Sequence, residues 1–407
     1  MRILVVTARY YPEQFSIVPI CERFVDMGHS VSVITGKPNY GYWKVLEGYE
    51  KIDRETINGV CVFRVNETPR KKGLLGLIIN YISIFNQYKK FLSKHKGTYD
   101  IVISHVMSPI FTMHGIKRFC NKNKIPHVHY GLDLWPESLI ASSYMKRNNI
   151  IFQAIKIYSR KIYRACDYIT FASPSAEQYF RNYLNIRDIP FKHVYQPTLT
   201  TTPKLSVVKE HEYIINNTVH LLYCGSIARF HRLDIFLDGL KLFIDTCKCN
   251  IRFDVVGSGS ELDDLIMRSK LLNLEQYVHF HGRVPIEKTK AFFANADILY
   301  VPLEDNSATS KMIPQKLIEY LMYNRPIIGM INGDGLDILK AASKYNVTCC
   351  QNKEDIFKAL TIMERQLSIF EIWGDDNRKF YDSNPRFSLD VICKELEDVC
   401  GSVLFKK

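Results

Sequence analysis

The sequence predicts an α/β protein built from two Rossmann-like domains, each with a parallel sheet covered by helices. Three observations lead to this prediction. The chain has 407 residues, which is more than one ordinary hydrophobic core supports. Short apolar strands alternate with amphipathic helices in its first half. A segment rich in proline and threonine follows, and the same alternation then restarts.

In the first half, short apolar runs predict strands, and longer stretches with helical spacing predict helices. The predicted strands are Ile3–Thr7, Val31–Thr35, Ile101–Ser104, His127–Tyr130 and Tyr168–Ala172. The predicted helices are Ile17–Met27 and Pro109–Asn121. Since strands that alternate with helices are connected by crossovers, we expect a parallel sheet with helices on both faces.

The composition changes between Gln196 and His211, where two prolines and a run of threonines indicate a linker, placed at 199–212. The second set of predicted strands is Val219–Tyr223, Ile251–Val256, Val278–Phe280, Ile298–Val301 and Pro326–Met330. The predicted helices are Leu233–Thr246, Glu261–Leu271, Ile286–Ala294, Pro314–Tyr323 and Phe387–Cys400. We therefore expect domains at 1–198 and 213–378, a ligand cleft between them, and a C-terminal helix within 379–407 that packs back on the first domain.

The composition, 46% hydrophobic and 24% charged, is typical of a soluble globular protein. No secretory signal follows Met1, and the longest apolar run, Leu74–Phe85, is shorter than the roughly 20 residues that span a bilayer. None of the eleven cysteines has the spacing of a zinc site. These features predict a cytoplasmic protein with free thiols.

The formal net charge of +12 fits three kinds of partner: nucleic acid, an anionic membrane face, or phosphorylated substrates. No nucleic-acid-binding module is recognisable, so nucleic acid is not expected. The segment 70–96 is apolar in its middle and basic at both ends, through Arg70, Lys71, Lys72, Lys89, Lys90, Lys94 and Lys96. It fits either a helix packed on the core or a helix lying on an anionic membrane.

Two glycine turns follow strands of the second half. Gly225 and Ser226 permit close backbone approach to a ligand, and Arg229 can make a forked contact with a diphosphate. His231 and Arg232 add further donors. The alternative interpretation is a solvated basic turn. The second turn, at Gly257, lacks the third glycine of a dinucleotide fingerprint and is equally consistent with a simple need for flexible φ.

The most specific stretch runs from Ile313 to Tyr320. Pro314 at the first helical position leaves free amides on the following residues, Gln315, Lys316 and Leu317, which together with the helix dipole form an anion site. Glu319 lies deeper on the helix, where a carboxylate can bind two ribose hydroxyls. The alternative is an exposed glutamate on an ordinary helix. A further turn, Gly282 and Arg283, suits a flat ligand such as a base.

Four stretches of the second half, in their order along the chain, resemble the donor domain of glycosyltransferase family 4. They are Gly-Ser-Ile-Ala-Arg, Val-Val-Gly-Ser-Gly, Phe-His-Gly-Arg-Val and Pro-Gln-Lys-Leu-Ile-Glu-Tyr. The first half is similar to that family at Tyr10–Phe15, Gly36–Tyr40 and Asp133–Ser138. The resemblance covers nearly the whole chain and extends to bacterial enzymes of surface-polysaccharide assembly, including N-acetyl-fucosaminyl transferases. It implies the GT-B fold and retention of anomeric configuration.

By this resemblance, Arg229 and Lys316 bind the donor diphosphate, and Glu319 is the ribose-binding second member of a Glu-x7-Glu pair. The first member falls on Lys311, which cannot accept hydrogen bonds from sugar hydroxyls and so leaves the donor sugar open. Ser16 stands where related loops often carry a glycine near the donor phosphate. The expected acceptor-side residues are Glu13, Gln14, Phe15 and Glu137.

No Asp-x-Asp motif lies at a predicted strand end, so we expect metal-independent transfer in which basic side chains stabilise the leaving diphosphate. His105 and Asp133 are candidates to orient the acceptor or the sugar. The predicted reaction moves a sugar, such as an N-acetylated deoxy-hexosamine, from a UDP-linked donor to a polyprenyl-diphosphate-linked saccharide on the inner face of the cytoplasmic membrane. The alternatives are a nucleotide-sugar epimerase-like enzyme and a non-catalytic glycosyltransferase partner.

Overall fold

The computed structural model describes residues 1–405 except 41–42, 72, 107, 142–144, 200–217, 248–249, 307–308, 350 and 366–369. The chain divides into two compact units. The first contains Met1–Leu199 together with Arg386–Lys407, and the second contains Thr200–Pro385. The predicted linker at 199–212 lies outside the described residues, apart from Leu199.

The first unit contains an eight-stranded sheet. Its strands are β1 (Arg2–Thr7), β2 (Ser30–Gly36), β3 (Arg54–Ile57), β4 (Val60–Val65), β5 (Ile101–Val106), β6 (His127–Gly131), β7 (Tyr168–Phe171) and β8 (Phe191–His193). Their order is β3-β4-β2-β1-β5-β6-β7-β8, and every pair is parallel except β3 with β4. The predicted doubly covered parallel sheet is confirmed, with a hairpin at one edge that the sequence analysis missed.

The α-helices described between Met1 and Leu199 are α1 (Ile17–Asp26), α2 (Gly73–Lys94), α3 (Ile116–Asn123), α4 (Ser138–Ala141), α5 (Ile150–Tyr163) and the short α6 (Ala176–Gln178). Alternate residues of β1 enter two cores. Ile3 and Val5 pack with α1, whereas Leu4 and Val6 pack with α2 and α3. The two-residue period of the strand thereby places helices on both faces.

The predicted helix Pro109–Asn121 is wrong in its bounds. The structure has a 3-10 turn at Ile110–Met113, a break at Gly115 and then α3. Gly115 has a φ of 100°, and a Cβ there would lie 3.2 Å from the Cα of Lys89 on α2. The break is therefore explained by the close passage of a neighbouring helix, which requires glycine.

The second unit contains a six-stranded, all-parallel sheet in the order β11-β10-β9-β12-β13-β14. Its strands are β9 (Thr218–Cys224), β10 (Asn250–Val256), β11 (Val278–Gly282), β12 (Ile298–Pro302), β13 (Ile327–Met330) and β14 (Val347–Thr348). Its helices are α7 (Leu233–Thr246), α8 (Leu262–Leu271), α9 (Ile286–Asn295), α10 (Gln315–Leu321), α11 (Asp334–Ala342), α12 (Lys353–Arg365) and α13 (Phe370–Ser383).

The last helix, α14 (Leu389–Leu404), belongs to the first unit, where Ile392 and Leu396 pack in the same core as α1. The division between the units follows Pro385 rather than residue 378. The reason is that α13 is tied to the second unit: Asn377 donates to the carbonyl of Arg325 (2.9 Å) and Arg378 donates to that of Met322 (3.0 Å). Among the described helices, none is long and apolar enough to cross a membrane.

Candidate functional site

In the second unit, the loops at the carboxyl ends of β9, β10 and β11 pack directly against one another. The amide of Gly225 donates to the carbonyl of Val256 (2.9 Å), and that of Gly257 donates to the carbonyl of Gly282 (2.8 Å). Gly225, Gly257 and Gly282 all have positive φ. A Cβ on Gly257 would lie 1.8 Å from the carbonyl oxygen of Gly225. Glycine at 257 is therefore required by the contact between the loops themselves.

Lys316, in the first turn of α10, reaches the end of β9. Its Nζ donates to the Tyr223 hydroxyl at 2.8 Å and lies 4.2 Å from the centroid of that ring. The Tyr223 hydroxyl in turn donates to the carbonyl of Ser226. A Cβ at Gly225 would come within 3.1 Å of the Lys316 Nζ. The ammonium group is thus fixed beside the loop that the sequence predicts to bind phosphate.

Tyr320, one turn further along α10, locks the helix to the same strand end. The amide of Cys224 donates to the Tyr320 hydroxyl (2.9 Å), which donates to the carbonyl of Cys224 (3.2 Å). Glu319 lies next to this bond, and its charge contributes to the raised pKa of the Cys224 thiol, which burial brings to about 12. Lys316 and Glu319 are therefore held around one strand end, as their helical spacing predicts.

The electrostatics of this site are governed by desolvation. Burial lowers the pKa of Lys316 to about 7, against a smaller opposing influence of the Cys224 thiol. Burial also lowers the pKa of His231 well below its ordinary value, and the nearby Lys316 charge lowers it further. A lysine with such a pKa loses its proton near neutral pH in the free protein. A bound anion raises the pKa again, so the side chain is protonated when the anion is present.

The three basic residues after Gly225 behave differently from one another. Arg229 is exposed at the start of a 3-10 turn, Arg229–His231, next to the exposed Ser226. His231 is buried and its Nδ1 accepts the amide of Ala228 (3.3 Å). Arg232 pairs with Asp234 at 3.1 Å and with Glu304 at 3.6 Å. The expectation that His231 and Arg232 supply further donors is wrong, because both are engaged within the protein.

The start of α10 also differs from the prediction. Pro314 is the N-cap, and the first helical residue is Gln315. The amide of Leu317 donates to the carbonyl of Pro314 (2.9 Å), and its side chain is fully buried. Leu317 therefore holds the helix in place and does not offer a free donor. Gln315 and Lys316, in the first turn of the helix, are half-buried.

The remaining predicted donor-side residues of the second unit lie on neighbouring loops. Gly282 ends β11, and a Cβ at this position would meet no heavy atom of the described residues within 4 Å. Arg283 follows it and is exposed. Lys311 is half-buried instead, and it ends a 3-10 turn, Thr309–Lys311, that precedes Pro314.

In the first unit, the predicted donor-side serine lies at the start of α1. Ser16 is buried, and its hydroxyl has no hydrogen-bond partner within the described part of the chain. The neighbouring Gln14 is exposed and Phe15 is half-buried. Glu13 is buried instead, and its carboxylate accepts the backbone amides of Asn39 (2.7 Å) and Tyr40. Glu13 thus holds a loop rather than pointing to solvent.

His105 lies within β5 and is completely buried, not exposed after the strand. Its Nδ1 is 3.2 Å from the Thr7 hydroxyl, which donates to the carbonyl of Arg9 (3.2 Å). We infer that Nδ1 carries the proton and Nε2 is an unpartnered acceptor. Burial lowers the pKa of His105 to about 3, so the ring is neutral at physiological pH.

Asp133 and Glu137 follow β6 with different environments. Asp133 is half-buried, and burial raises the pKa of its carboxyl to about 7. Such a group can exchange a proton at neutral pH. Glu137 is fully buried and accepts the Tyr179 hydroxyl, while burial raises its pKa. Glu137 therefore fits a role in holding the loop, whereas Asp133 keeps access to solvent.

Sequence reasoning missed several residues that shape these sites. Tyr223 and Tyr320 fix α10 against β9, and a buried ion pair joins Arg9 to Glu67 at 3.2 Å in the first unit. Glu67 follows β4, a strand that was not predicted. Tyr320 was visible only as part of a motif. Within the described residues, no group of three His, Cys, Asp or Glu side chains is placed to hold a metal ion.

Two family models match the two units. The model of "Glycosyltransferase Family 4" matches residues 16–197, and the model of "Glycosyl transferases group 1" matches residues 218–362. The chain is a glycosyltransferase with the GT-B fold. Among curated protein sequences, none matches this glycosyltransferase.

Solved structures are similar to the GT-B glycosyltransferase over its whole length. An Anabaena protein, HepE, in complex with UDP and glucose is 13% identical with a TM-score of 0.70, over 99% of this chain and 100% of that chain. WaaG, a glycosyltransferase of lipopolysaccharide biosynthesis, is 13% identical with a TM-score of 0.68, over 98% and 99%. Sucrose-phosphate synthase from Thermosynechococcus elongatus is 12% identical with a TM-score of 0.74, over 100% of both chains. These likenesses establish the fold.

Proposed function

We propose that this glycosyltransferase moves a sugar, with retention of anomeric configuration, from a nucleoside-diphosphate sugar to a lipid-linked saccharide in the assembly of a cell-surface polysaccharide. One observation carries the donor half of the proposal. The Nζ of Lys316 is held 2.8 Å from the Tyr223 hydroxyl, beside the positive-φ loop at Gly225, with Glu319 on the next turn of the same helix. A cation beside a glycine loop can pair with the charge of a diphosphate, and a carboxylate further along the helix can accept hydrogen bonds from the ribose hydroxyls.

The chemistry follows from where charge develops. As the anomeric bond of the donor breaks, the departing diphosphate gains negative charge, which Lys316 and Arg229 stabilise. The oxygen of the leaving group then takes the proton of the incoming hydroxyl on the same face of the sugar. In this scheme the protein supplies no nucleophile. Lys316 is suited to it because a bound diphosphate returns its pKa toward the ordinary value.

The donor is proposed to be UDP-linked and to carry a hexosyl or N-acetylhexosaminyl group, such as an N-acetylated deoxy-hexosamine. Structures similar to this chain include one bound to UDP-glucose, at 13% identity. Lys311 stands at the sugar end of the predicted site, where it can contact an acidic or otherwise electronegative substituent. Transfer is proposed to be independent of metal, since basic side chains lie where a cation would otherwise neutralise the diphosphate.

The acceptor is proposed to be a polyprenyl-diphosphate-linked saccharide at the inner face of the cytoplasmic membrane. One face of α2 supports this: Leu74, Leu75, Ile78, Ile79 and Ile82 are all exposed, although the opposite face is buried in the core. Lysines 71, 89, 90 and 94 are exposed at the ends of this segment. An exposed apolar stripe between basic ends suits a helix that lies on an anionic bilayer. Two similar structures, WaaG and WaaB, are described as lipopolysaccharide glycosyltransferases.

The proposal is tested in two stages. A panel of UDP-, GDP- and dTDP-sugars is first screened for stabilisation of the protein against heat, and the best donor is then incubated with short-chain prenyl-diphosphate saccharides. We expect a UDP-sugar to stabilise the protein and its sugar to be transferred, with NMR showing retained anomeric configuration. Isomerisation of the donor without an acceptor would support an epimerase-like enzyme, and binding without any reaction would support a non-catalytic partner.

A further inference from the structure

The loop after β2 is held by a buried carboxylate. The Oε1 atom of Glu13 accepts the amide of Asn39 at 2.7 Å and the amide of Tyr40 as well. Glu13 is buried, so both bonds are shielded from water. Two consecutive amides bound to one buried carboxylate fix the backbone on which the Tyr40 side chain stands.

A second buried group holds the same loop from behind. The Asn39 side chain donates to the carboxylate of Glu67 at 3.1 Å and to the carbonyl of Lys37 at 2.8 Å. Glu67 is paired with Arg9 at 3.2 Å, and both are buried. A Cβ at Gly36 would lie within 3 Å of the Glu67 carboxylate, so glycine is needed for this approach. The network makes the loop rigid.

The residue that this network holds is a partly exposed tyrosine. Tyr40 is 43% exposed, and its ring forms a T-shaped pair with that of Phe15, with 5.3 Å between the centroids and an interplanar angle of 76°. The Arg9 guanidinium lies 6.0 Å from the centroid of the Tyr40 ring. Phe15 immediately precedes α1, and Tyr40 follows β2, so the ring stands at the carboxyl edge of the parallel sheet. Open parallel sheets bind their ligands at that edge.

We infer that Tyr40 is a stacking platform for a pyranose ring of the acceptor saccharide, and that Glu13 and the Arg9–Glu67 pair are positioning residues for it. The inference rests on the proposed function. The apolar C–H face of a sugar packs on an aromatic face, and a ring already immobilised by its backbone loses little entropy on contact. A surface tyrosine without such a role needs no buried carboxylate on its own amide.

The test uses the full chain and measures direct binding by calorimetry. The probes are UDP, the UDP-sugar selected above, and short-chain prenyl diphosphates bearing glucose, galactose, N-acetylglucosamine or N-acetylgalactosamine. The variants are Tyr40→Phe, Tyr40→Leu and Tyr40→Ala. Phe405→Ala, which removes another exposed aromatic ring of the first unit, is the matched control.

We expect Tyr40→Ala and Tyr40→Leu to weaken binding of the best prenyl-diphosphate saccharide about tenfold, a magnitude typical of one aromatic contact. Tyr40→Phe and Phe405→Ala should bind like the wild type, and the affinity for UDP-sugar should be unchanged in all four. Equal acceptor affinity in Tyr40→Ala and wild type would overturn the inference. So would a loss confined to the UDP-sugar, or a wild type that binds UDP but no prenyl-diphosphate saccharide. Failure to bind UDP at all would instead reject the proposed function.

Discussion

The Nζ of Lys316 lies 2.8 Å from the Tyr223 hydroxyl, so a cation on α10 is fixed at the end of β9 before any ligand arrives. The lysine is desolvated there, which lowers its pKa to about 7. This contact joins a residue named by a sequence motif to one that no motif indicates. It makes the charge of the proposed diphosphate site dependent on pH in the physiological range.

UDP affinity should fall as the pH rises above 7. In the free protein, Lys316 loses its proton through its pKa of about 7, and the neutral amine attracts a diphosphate less strongly. Calorimetric titrations from pH 6.5 to 9 should show a decline of up to about tenfold per pH unit. The control is Lys316→Arg, whose guanidinium stays charged and should give a flat profile over this range. Identical profiles for the two proteins would show that Lys316 does not bind the diphosphate.

Removing the Tyr320 hydroxyl should loosen α10. Tyr320→Phe leaves the partly buried amide of Cys224 without its partner, so the free energy of unfolding should drop by about 1–3 kcal/mol. UDP should bind more weakly as well, because Lys316 and Glu319 lie on the same helix. Urea unfolding and calorimetry measure the two effects. Tyr300→Phe is the control, since that buried hydroxyl donates to the Met330 sulfur at 3.5 Å, and a thioether is a weak acceptor. An equal effect in both variants would refute the anchoring role.

Lys311 should act on the sugar and not on the nucleotide. We expect Lys311→Met to weaken binding of the preferred nucleotide sugar severalfold while the affinity for UDP alone stays the same. Lys340→Met, which removes an exposed lysine of α11, should change neither affinity. If Lys311→Met instead weakened UDP and UDP-sugar equally, Lys311 would belong to the diphosphate end of the site.

Buried His105 should make the fold sensitive to acid. Its pKa is about 3 in the folded protein and about 6.5 in the unfolded chain, so below pH 6.5 the unfolded state binds more protons. Its contribution to stability is therefore lost as the pH falls from 6.5 toward 3. The stability difference between wild type and His105→Gln should change by about 1.4 kcal/mol per pH unit across that window. Urea titrations at pH 7, 6 and 5 measure it, and a constant difference would contradict the assignment.

The exposed face of α2 should bind anionic lipid. Ile82 is 57% exposed on that face, and Ile82→Glu places a negative charge where the bilayer would lie. We expect this variant to sediment much less with vesicles that contain phosphatidylglycerol. The control is Ile157→Glu on α5, where the isoleucine is 71% exposed. Equal retention of both variants on the vesicles would argue against α2 as the contact.

The sequence predicted the fold class and the relative placement of Lys316 and Glu319 because both depend on local periodicity. Residues three apart on one helix face the same way whatever the tertiary structure. The partners Tyr223 and Tyr320 depend on how β9 meets α10, which no local pattern encodes. Glu13 shows the same limit: its motif was recognised, but its burial against the amide of Asn39 follows from the packing of two distant loops.

Breaks within helices and the exact bounds of strands could not be predicted from the sequence either. The division of the predicted helix Pro109–Asn121 at Gly115 depends on α2 passing close by, so it follows from a tertiary contact. The strands β3 and β4 were missed, and with them Glu67, since its position at a strand end could not be recognised. The acid-sensitive His105 appeared to follow a strand because β5 extends beyond the predicted end at Ser104.

The most direct test of the central claim is the rate of sugar transfer, with the selected donor and acceptor, in Glu319→Ala and Arg229→Ala, compared with wild type and with Lys340→Met. Circular dichroism and thermal unfolding establish that each variant is folded. The account predicts that Glu319→Ala and Arg229→Ala lose transfer while they remain folded, and that Lys340→Met transfers at the wild-type rate. Wild-type turnover in both Glu319→Ala and Arg229→Ala would contradict the proposed donor site.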